Sequence, residues 1–412
     1  MIIIVLFLLQ LEPFTKQKNK KNIFNDFNID YLGPINGHNI KELEDAFKKA
    51  INNKKSIVLH VYTQKGKGYK FAEVDKVGRY HIISPFDINT GEMINNNKDL
   101  LSYQSYFSEL IDQEMQKNKK VLLISPATYY NSLLNNIFLK YKERCFDVGI
   151  EEEHALILAS SMALNGFKPI ISIYSTFLQR AIDQLLHDAS RMKLPLLLLI
   201  DRSGLIGEDG ESHQGIYEEA FLLNIPHMTL TVPSDIKTSK ALFKLGINYK
   251  DGPFAIRYPK DYYLKDDKVE DIKITYGKWI KESSSNKSIG VLACGKIVAI
   301  LKEELKRENI DVNLYNAIFL KPLDEDSLKD LMQNDYIIII DTMATKNGFI
   351  NLIATYLLEH HYKGEIKTYA LKDEYISHAT IKEQQIDNHV DACYLIGEIK
   401  YIYSKLKVKS SE

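Results

Sequence analysis

The chain has 412 residues, 45% of them hydrophobic and 26% charged, with a formal net charge of −1. That length suits two or three domains of ordinary soluble globular composition. The balanced charge excludes an electrostatic case for nucleic acid or an anionic membrane as partner.

The first residues are unusual. Met1 to Leu9 is strongly apolar, too short to span a bilayer as a helix, and lacks the basic start and small-residue cleavage site of a signal peptide. Lys16–Asn22 is a solvated basic patch. Residues 1–21 are read as an atypical terminal remnant, a short interfacial anchor, or an artefact of the assigned start. Tyr31–His38 is rich in turn formers. An amphipathic helix follows, with Leu43, Ala46, Phe47 and Ala50 at helical spacing, and Ser56–Tyr62 is a continuous apolar run of the kind found in buried parallel strands. Residues 70–100 show many turn formers and little periodicity, which predicts a linker draped over a surface.

From 101 to 265 helix and strand patterns alternate. Phe107, Leu110, Ile111 and Met115 mark a helix; Val121–Ser125 reads as a buried strand, and a helix near 131–140 follows. Asp147-Val-Gly-Ile-Glu-Glu-Glu-His-Ala155 then opens a helical run from Ala155 to Ala163. Pro169–Tyr174 and Leu194–Ile200 read as strands around a helix from Phe177 to Met192 with Phe177, Ala181, Leu185 and Ala189 on one face. Met228–Val232, a helix capped by Ser234, and Pro253–Tyr258 complete the series. The alternation predicts an α/β fold with a doubly wound parallel sheet and sites at the carboxyl ends of its strands. A smaller α/β unit is expected over 273–405, with strands at Ser288–Cys294, Val312–Ile318, Tyr336–Asp341 and Ile366–Leu371. Cys145, Cys294 and Cys393 are far apart and fit no metal spacing. The first two sit in apolar runs and read as small buried hydrophobes in a reducing compartment, so a cytoplasmic protein is expected.

Polar residues collect just after the strands of the middle region. Three consecutive acids at 151–153 have an ordinary explanation, since a helix N-terminus favours carboxylates. The sharper reading is that one of them faces a cofactor cleft. Tyr174–Arg180 follows one strand and Asp201-Arg202 ends the next. Gly204–Gly215 holds four glycines in twelve residues, which lets backbone approach a ligand or lets a loop move. Arg257 and Lys260 follow the last strand, and arginine there suits a phosphate. Singly, Arg180 could be a helix-surface residue, His213 a loop histidine, Tyr174 and Phe177 core aromatics. Their convergence on one sheet edge favours a site.

The blocks YLGPINGHNI (31–40), HVYTQKGKGYKFAE (60–73), DVGIEEEHA (147–155), IYSTFLQRAIDQLLHDA (173–189), DRSGLIGEDGESHQG (201–215) and PFAIRYPK (253–260) resemble the 1-deoxy-D-xylulose-5-phosphate synthases of the transketolase family. The resemblance runs from about Asn22 to the end. It implies the end of a diphosphate-binding domain and linker over 22–100, a pyrimidine-binding domain over 101–265 and a transketolase C-terminal domain over 273–405. It implies thiamine diphosphate and Mg2+ as cofactors. The reaction implied joins pyruvate to glyceraldehyde 3-phosphate with loss of CO2, feeding isoprenoid, thiamine and pyridoxal precursors. The family's catalytic glutamate falls on Glu152, which bonds a pyrimidine nitrogen of the cofactor, and Phe177 matches the residue packed on that ring. Tyr174, Arg180, Asp209 and His213 match positions lining the substrate cleft, His213 being a candidate for proton transfer. Arg202 matches one of two arginines holding the acceptor phosphate. The second falls on Lys260, which keeps the charge and loses the bidentate fork; Arg257 is a possible substitute. Glu151-Glu-Glu-His154 stands where relatives have Ala-Glu-Gln-His. No site residue carries over to the C-terminal domain.

Relatives also carry a Gly-Asp-Gly motif and a later asparagine that hold Mg2+ beneath the cofactor diphosphate. This sequence contains neither, so no metal ligand is expected in it. Three accounts follow: the C-terminal subunit of a split synthase, or of another transketolase-type enzyme, working with a diphosphate-binding partner; a truncated product; or a non-catalytic binding or dimerisation module. A homodimer is a further expectation.

Overall fold

The computed structural model describes residues 22–75, 79–80, 85–92, 94, 100–264, 269–286 and 288–409, together with the backbone of 3–9. The chain forms two compact units, Met1–Asn96 and Asn97–Glu412.

The first unit is built on a three-stranded parallel sheet of β1 (Ile3–Leu9), β2 (Asp30–Asn36) and β3 (Ile57–Thr63), in the order β1-β3-β2. Ile3–Leu9 is therefore a strand where a remnant or anchor was expected; the basic run at 16–21 lies outside the described residues. Helix α1 (Ile40–Ile51) links β2 to β3. Asn39 caps it by accepting a hydrogen bond from Glu42 N, which satisfies a free helix-start donor. Its Ala46 and Ala50 are buried as the spacing predicted, and Ala46 packs with Leu59 and Val61. Phe47 is exposed instead, because the buried stripe is narrower than the apolar one. Part of the expected linker is packed: the Tyr69, Tyr80 and Phe86 rings lie 5.6–5.7 Å apart around the short helix Lys70–Glu73.

The second unit begins with β4 (Leu100–Ser102) and helix α2 (Tyr103–Lys117). A sheet follows from β5 (Val121–Ser125), β6 (Cys145–Asp147), β7 (Lys168–Tyr174), β8 (Leu197–Asp201), β9 (Thr229–Thr231) and β10 (Phe254–Arg257), all parallel. β11 (Tyr262–Leu264) pairs back on β4. Every residue of β5, β8 and β10 is buried, which explains why they read as apolar runs rather than alternating ones. Each large apolar side chain they take from water contributes roughly 1.5–3 kcal/mol, and they share one core with residues of the surrounding helices.

Helix α3 (Glu152–Leu164) starts at Glu152, three residues before the expected run. The helix expected near 131–140 begins only at Asn135. The long helix expected from Phe177 is broken: a turn at Ser175–Leu178, a 3-10 turn at Gln179–Ala181, a short helix at Ile182–Gln184 and a π-helical stretch at Leu185–Ser190. Ala181, Leu185 and Ala189 are buried as predicted, whereas Phe177 leaves that face. Helix α4 (Ile236–Gly246) is capped by Asp235, which accepts from Thr238 N, and not by Ser234.

The C-terminal part adds β12 (Ile280–Ser283), β13 (Ile289–Ala293), β14 (Asn313–Asn316), β15 (Phe319–Lys321), β16 (Tyr336–Thr345) and β17 (Glu365–Leu371). Its sheet runs β12-β14-β13-β16-β17, with β12 antiparallel at the edge. β15 leaves this sheet and pairs antiparallel with β9, extending the first sheet to seven strands, β15-β9-β10-β8-β7-β5-β6. Two sheets predicted as separate are thus stitched by a strand too short to show a period.

A buried charge cluster fastens the same junction. Arg257 is fully buried and donates to Glu218 Oε1 at 2.7 Å, to Glu219 and to the Met343 carbonyl at 3.2 Å. Glu219 in turn accepts from Phe349 N at 2.8 Å, at the start of helix α5 (Phe349–Glu359). Arg257 is consequently not free to take a phosphate, contrary to the sequence expectation. Burial opposes its charge, and Glu218, Glu219 and Asp341 outweigh that, keeping it protonated. Burial and the Asp341 charge push the Glu219 carboxyl well above its usual range.

Cys145 and Cys294 are buried free thiols, as expected, and Cys393 is exposed. Burial pushes the Cys145 thiol up to about 12, so it is inert.

Candidate active site

The site residues lie at the carboxyl ends of neighbouring strands. Tyr174 ends β7 and pairs in register with Asp201 at the end of β8, while Ser125 pairs with Asp147 beyond it. Side chains that leave these ends project past the sheet, where such folds hold ligands.

Glu152 is the first residue of α3, and its side chain is 2% exposed. The three acids are not equivalent: Glu151 is exposed and makes no capping bond, and Glu153 is half-buried. Glu152 Oε2 accepts from Arg180 Nη1 at 3.0 Å, and that arginine side chain is 54% exposed. The bond to Arg180 gives this buried side chain a charge-assisted partner at a helix start. Arg180 reaches it because the chain after β7 turns in a 3-10 step at Gln179–Ala181 rather than continuing as α-helix.

Phe177 stacks on Tyr174 with centroids 5.4 Å apart and meets the His213 ring edge-on at 5.6 Å. His213 Nδ1 is 3.0 Å from Ser212 Oγ, and Thr176 Oγ1 donates to the Ser212 carbonyl at 3.0 Å. The Tyr174 hydroxyl is buried without a hydrogen-bond partner among the described residues. Burial, against the pull of Arg202, raises its pKa, so it stays a neutral phenol.

The Arg202 guanidinium lies 4.2 Å over the Tyr174 ring, a cation–π contact. It donates to Asp209, and Lys260 Nζ lies 3.4 Å from the same carboxylate. Arg202 has φ +59°, a left-handed backbone costing a non-glycine residue roughly 1–2 kcal/mol. The surrounding bonds hold that conformation: Ser203 N donates to the Tyr258 carbonyl at 3.0 Å, and Gly204 and Gly215 bond each other at 2.6 and 2.9 Å. Gly215 must be glycine, because a Cβ there would stand 2.1 Å from the Arg202 carbonyl oxygen.

The structure brings these residues together in two sets of contacts, Glu152 with Arg180, and Tyr174 with Phe177, His213, Arg202, Asp209 and Lys260, and Arg257 belongs to neither. Two contributors had no role in the sequence reading. Asp201, noted there only as ending a strand, is a fully buried carboxylate next to Arg202, accepting from Gln104 Nε2 at 2.6 Å and Ser132 Oγ at 3.0 Å; burial raises its pKa despite Arg202. An acid ending an otherwise apolar strand was the available signal. The C-terminal part also reaches the glycine-rich loop, through Gln384 Oε1 accepting from Gly207 N at 3.0 Å and Ser377 Oγ donating to Glu211 at 3.1 Å. Nothing in its local sequence marked those residues.

Among the described residues no group of three His, Cys, Asp or Glu side chains is placed to hold a metal. No helix among them is long and apolar enough to cross a membrane.

Three family models match the chain: the transketolase pyrimidine-binding domain over 99–265, the transketolase C-terminal domain over 277–392, and 1-deoxy-D-xylulose-5-phosphate synthase over 5–63. The chain is 37% identical over 364 residues to a 1-deoxy-D-xylulose-5-phosphate synthase of Clostridium acetobutylicum, covering 87% of this chain and 58% of that one. It is 39% identical over 360 residues to that of Clostridium perfringens, covering 86% and 57%. It spans about three-fifths of the length of the curated relatives it matches. Among solved structures it is similar in fold to a protein described as "Split gene transketolase, inactive beta4 tetramer" (TM-score 0.62, 19% identity, 74% of this chain and 98% of that one). It is also similar to a Campylobacter jejuni transketolase (TM-score 0.60, 15% identity, 94% and 69%). The strand-end site and these matches agree: the chain belongs to the transketolase family, in its 1-deoxy-D-xylulose-5-phosphate synthase branch.

Proposed function

We propose that this chain supplies the pyrimidine-binding and acceptor-binding side of a 1-deoxy-D-xylulose-5-phosphate synthase site, a thiamine diphosphate-dependent transferase acting on pyruvate and glyceraldehyde 3-phosphate. The observation that carries the reading is the placing of two contact sets after the strands of one parallel sheet. A buried helix-start carboxylate follows β6, and an aromatic stack and two cations around one anion follow β7, β8 and β10.

The residues present fit one end of the cofactor. Glu152 offers a buried acceptor for a pyrimidine ring N–H, Phe177 an aromatic face, and the partnerless Tyr174 hydroxyl a further polar contact. When bound, thiamine diphosphate supplies a thiazolium carbon and an electron sink for the two-carbon unit of pyruvate. Glu152 keeps the proton on the ring nitrogen, Arg202 and Lys260 hold the acceptor phosphate, and His213 moves a proton at the acceptor carbonyl oxygen. Tyr174, Arg180 and Asp209 line the cleft between these groups. On this reading the diphosphate and its Mg2+ would be held by a diphosphate-binding partner or a longer form of the chain, within a homodimer or mixed assembly. The split-gene neighbour in fold offers an analogy for that division.

The test is steady-state kinetics of the chain reconstituted with a polypeptide carrying the diphosphate-binding domain of its relatives. Glu152→Gln lowers kcat at least about a hundredfold, in the range of lost proton-transfer catalysis. Arg202→Ala raises KM for glyceraldehyde 3-phosphate and leaves that for pyruvate near its starting value. Full activity in Glu152→Gln overturns the assignment.

A further inference from the structure

Resting on the phosphate reading above, we propose that Asp209 is a built-in counter-ion: its carboxylate occupies the anion position between Arg202 and Lys260, and a phosphate monoester enters by displacing it. Asp209 accepts from the Arg202 guanidinium, and its two oxygens lie 3.5 and 3.4 Å from Lys260 Nζ. The Arg202 and Asp209 side chains are 10% and 12% exposed, so the pair is largely withdrawn from water.

Arg202 is held from outside the pair, and Asp209 sits on a glycine-bounded turn. Arg202 is stacked on Tyr174, and its neighbour Ser203 is tied to Tyr258. Asp209 ends a single 3-10 turn, Gly207–Asp209. Gly207 and Gly210 bound it with φ +71° and +79°, a left-handed conformation that glycine enters freely. Gln384 holds Gly207 and Ser377 holds Glu211, so the turn is anchored on both sides while the glycines that bound it leave its backbone free to re-orient Asp209 between those anchors.

Displacement also sets selectivity. A singly charged carboxylate or chloride would merely replace one anion by another. A phosphate dianion brings a second charge and further acceptor oxygens to the two cations, so it alone gains by the exchange. Asp209 thus discriminates against acceptors that lack a phosphate.

The experiment is titration of the chain with inorganic phosphate by calorimetry, comparing the unaltered chain with Asp209→Asn, Asp209→Ser, Glu208→Gln and Arg202→Ala. Glu208 is the exposed neighbouring acid and controls for general charge. Asp209→Asn and Asp209→Ser are expected to bind phosphate about tenfold or more tightly, the worth of one charge-assisted bond. Glu208→Gln changes affinity little, and Arg202→Ala on the Asp209→Asn background abolishes the gain. If Asp209→Asn and Asp209→Ser bind no more tightly, or Glu208→Gln gains as much, while Arg202→Ala still weakens binding, the counter-ion assignment falls and the phosphate site stands. If no variant binds phosphate, both fall.

Discussion

At the scale of single residues, the site contrasts two ways of holding charge. Glu152 is buried and paired with a solvated arginine, whereas Asp201 is buried with only neutral donors and the nearby Arg202. Lys260 stands where relatives place an arginine and approaches Asp209 at 3.4 Å without a fork. Lys260→Arg is therefore expected to tighten phosphate binding about three- to tenfold, through a second parallel hydrogen bond. An unchanged phosphate affinity in the same titration would show that the lysine does not reach the anion. Asp201 carries a pH signature. Its folded pKa is raised, so its contribution to stability is complete below the unfolded value of about 3.9 and is lost as pH rises through the folded pKa. Urea unfolding of Asp201→Asn against the unaltered chain is expected to show the variant's relative stability growing as pH rises from the unfolded pKa towards the folded one and levelling off above it. A difference independent of pH would mean that folding leaves the Asp201 pKa unraised.

At the scale of elements, what was legible followed from period and length. β5, β8 and β10 are apolar runs that end in a single polar residue, Ser125, Asp201 or Arg257, and were read directly, because a strand buried on both faces has no polar alternation to confuse. The helix after β7 was misread: Ala181, Leu185 and Ala189 keep helical spacing, yet the segment passes through 3-10 and π-helical turns that place Arg180 against Glu152. Spacing reports which face is buried, not how the backbone is wound. β15 has three residues and shows no period. Arg257 was misjudged because its partners Glu218 and Glu219 lie 39 and 38 positions away. Fully buried, it joins β10 to the start of α5 and the Met343 carbonyl. Arg257→Met leaves two buried carboxylates without their cation and is expected to cost about 3–5 kcal/mol in urea unfolding. A loss below about 1 kcal/mol would show that the cluster is not what fastens the two sheets.

At the scale of the whole molecule, the candidate site was legible as a set of residue types at strand ends, and resemblance to a family assigned their roles. The contacts among them were not legible: that Phe177 bridges Tyr174 and His213, or that Asp209 sits between two cations, depends on loops whose shape no local pattern encodes. The same holds for Gln384, brought to the glycine-rich loop from 177 positions away. On the proposed reading this chain holds the pyrimidine and phosphate side of a site completed by residues outside it. The direct measurement is CO2 release from pyruvate in the presence of glyceraldehyde 3-phosphate, thiamine diphosphate and Mg2+, first with this chain alone and then with the diphosphate-binding domain of a relative added. No turnover alone and product formation on addition, lost again in Glu152→Gln, are expected. Sustained turnover by the chain alone, or turnover on addition that survives Glu152→Gln, would contradict that reading.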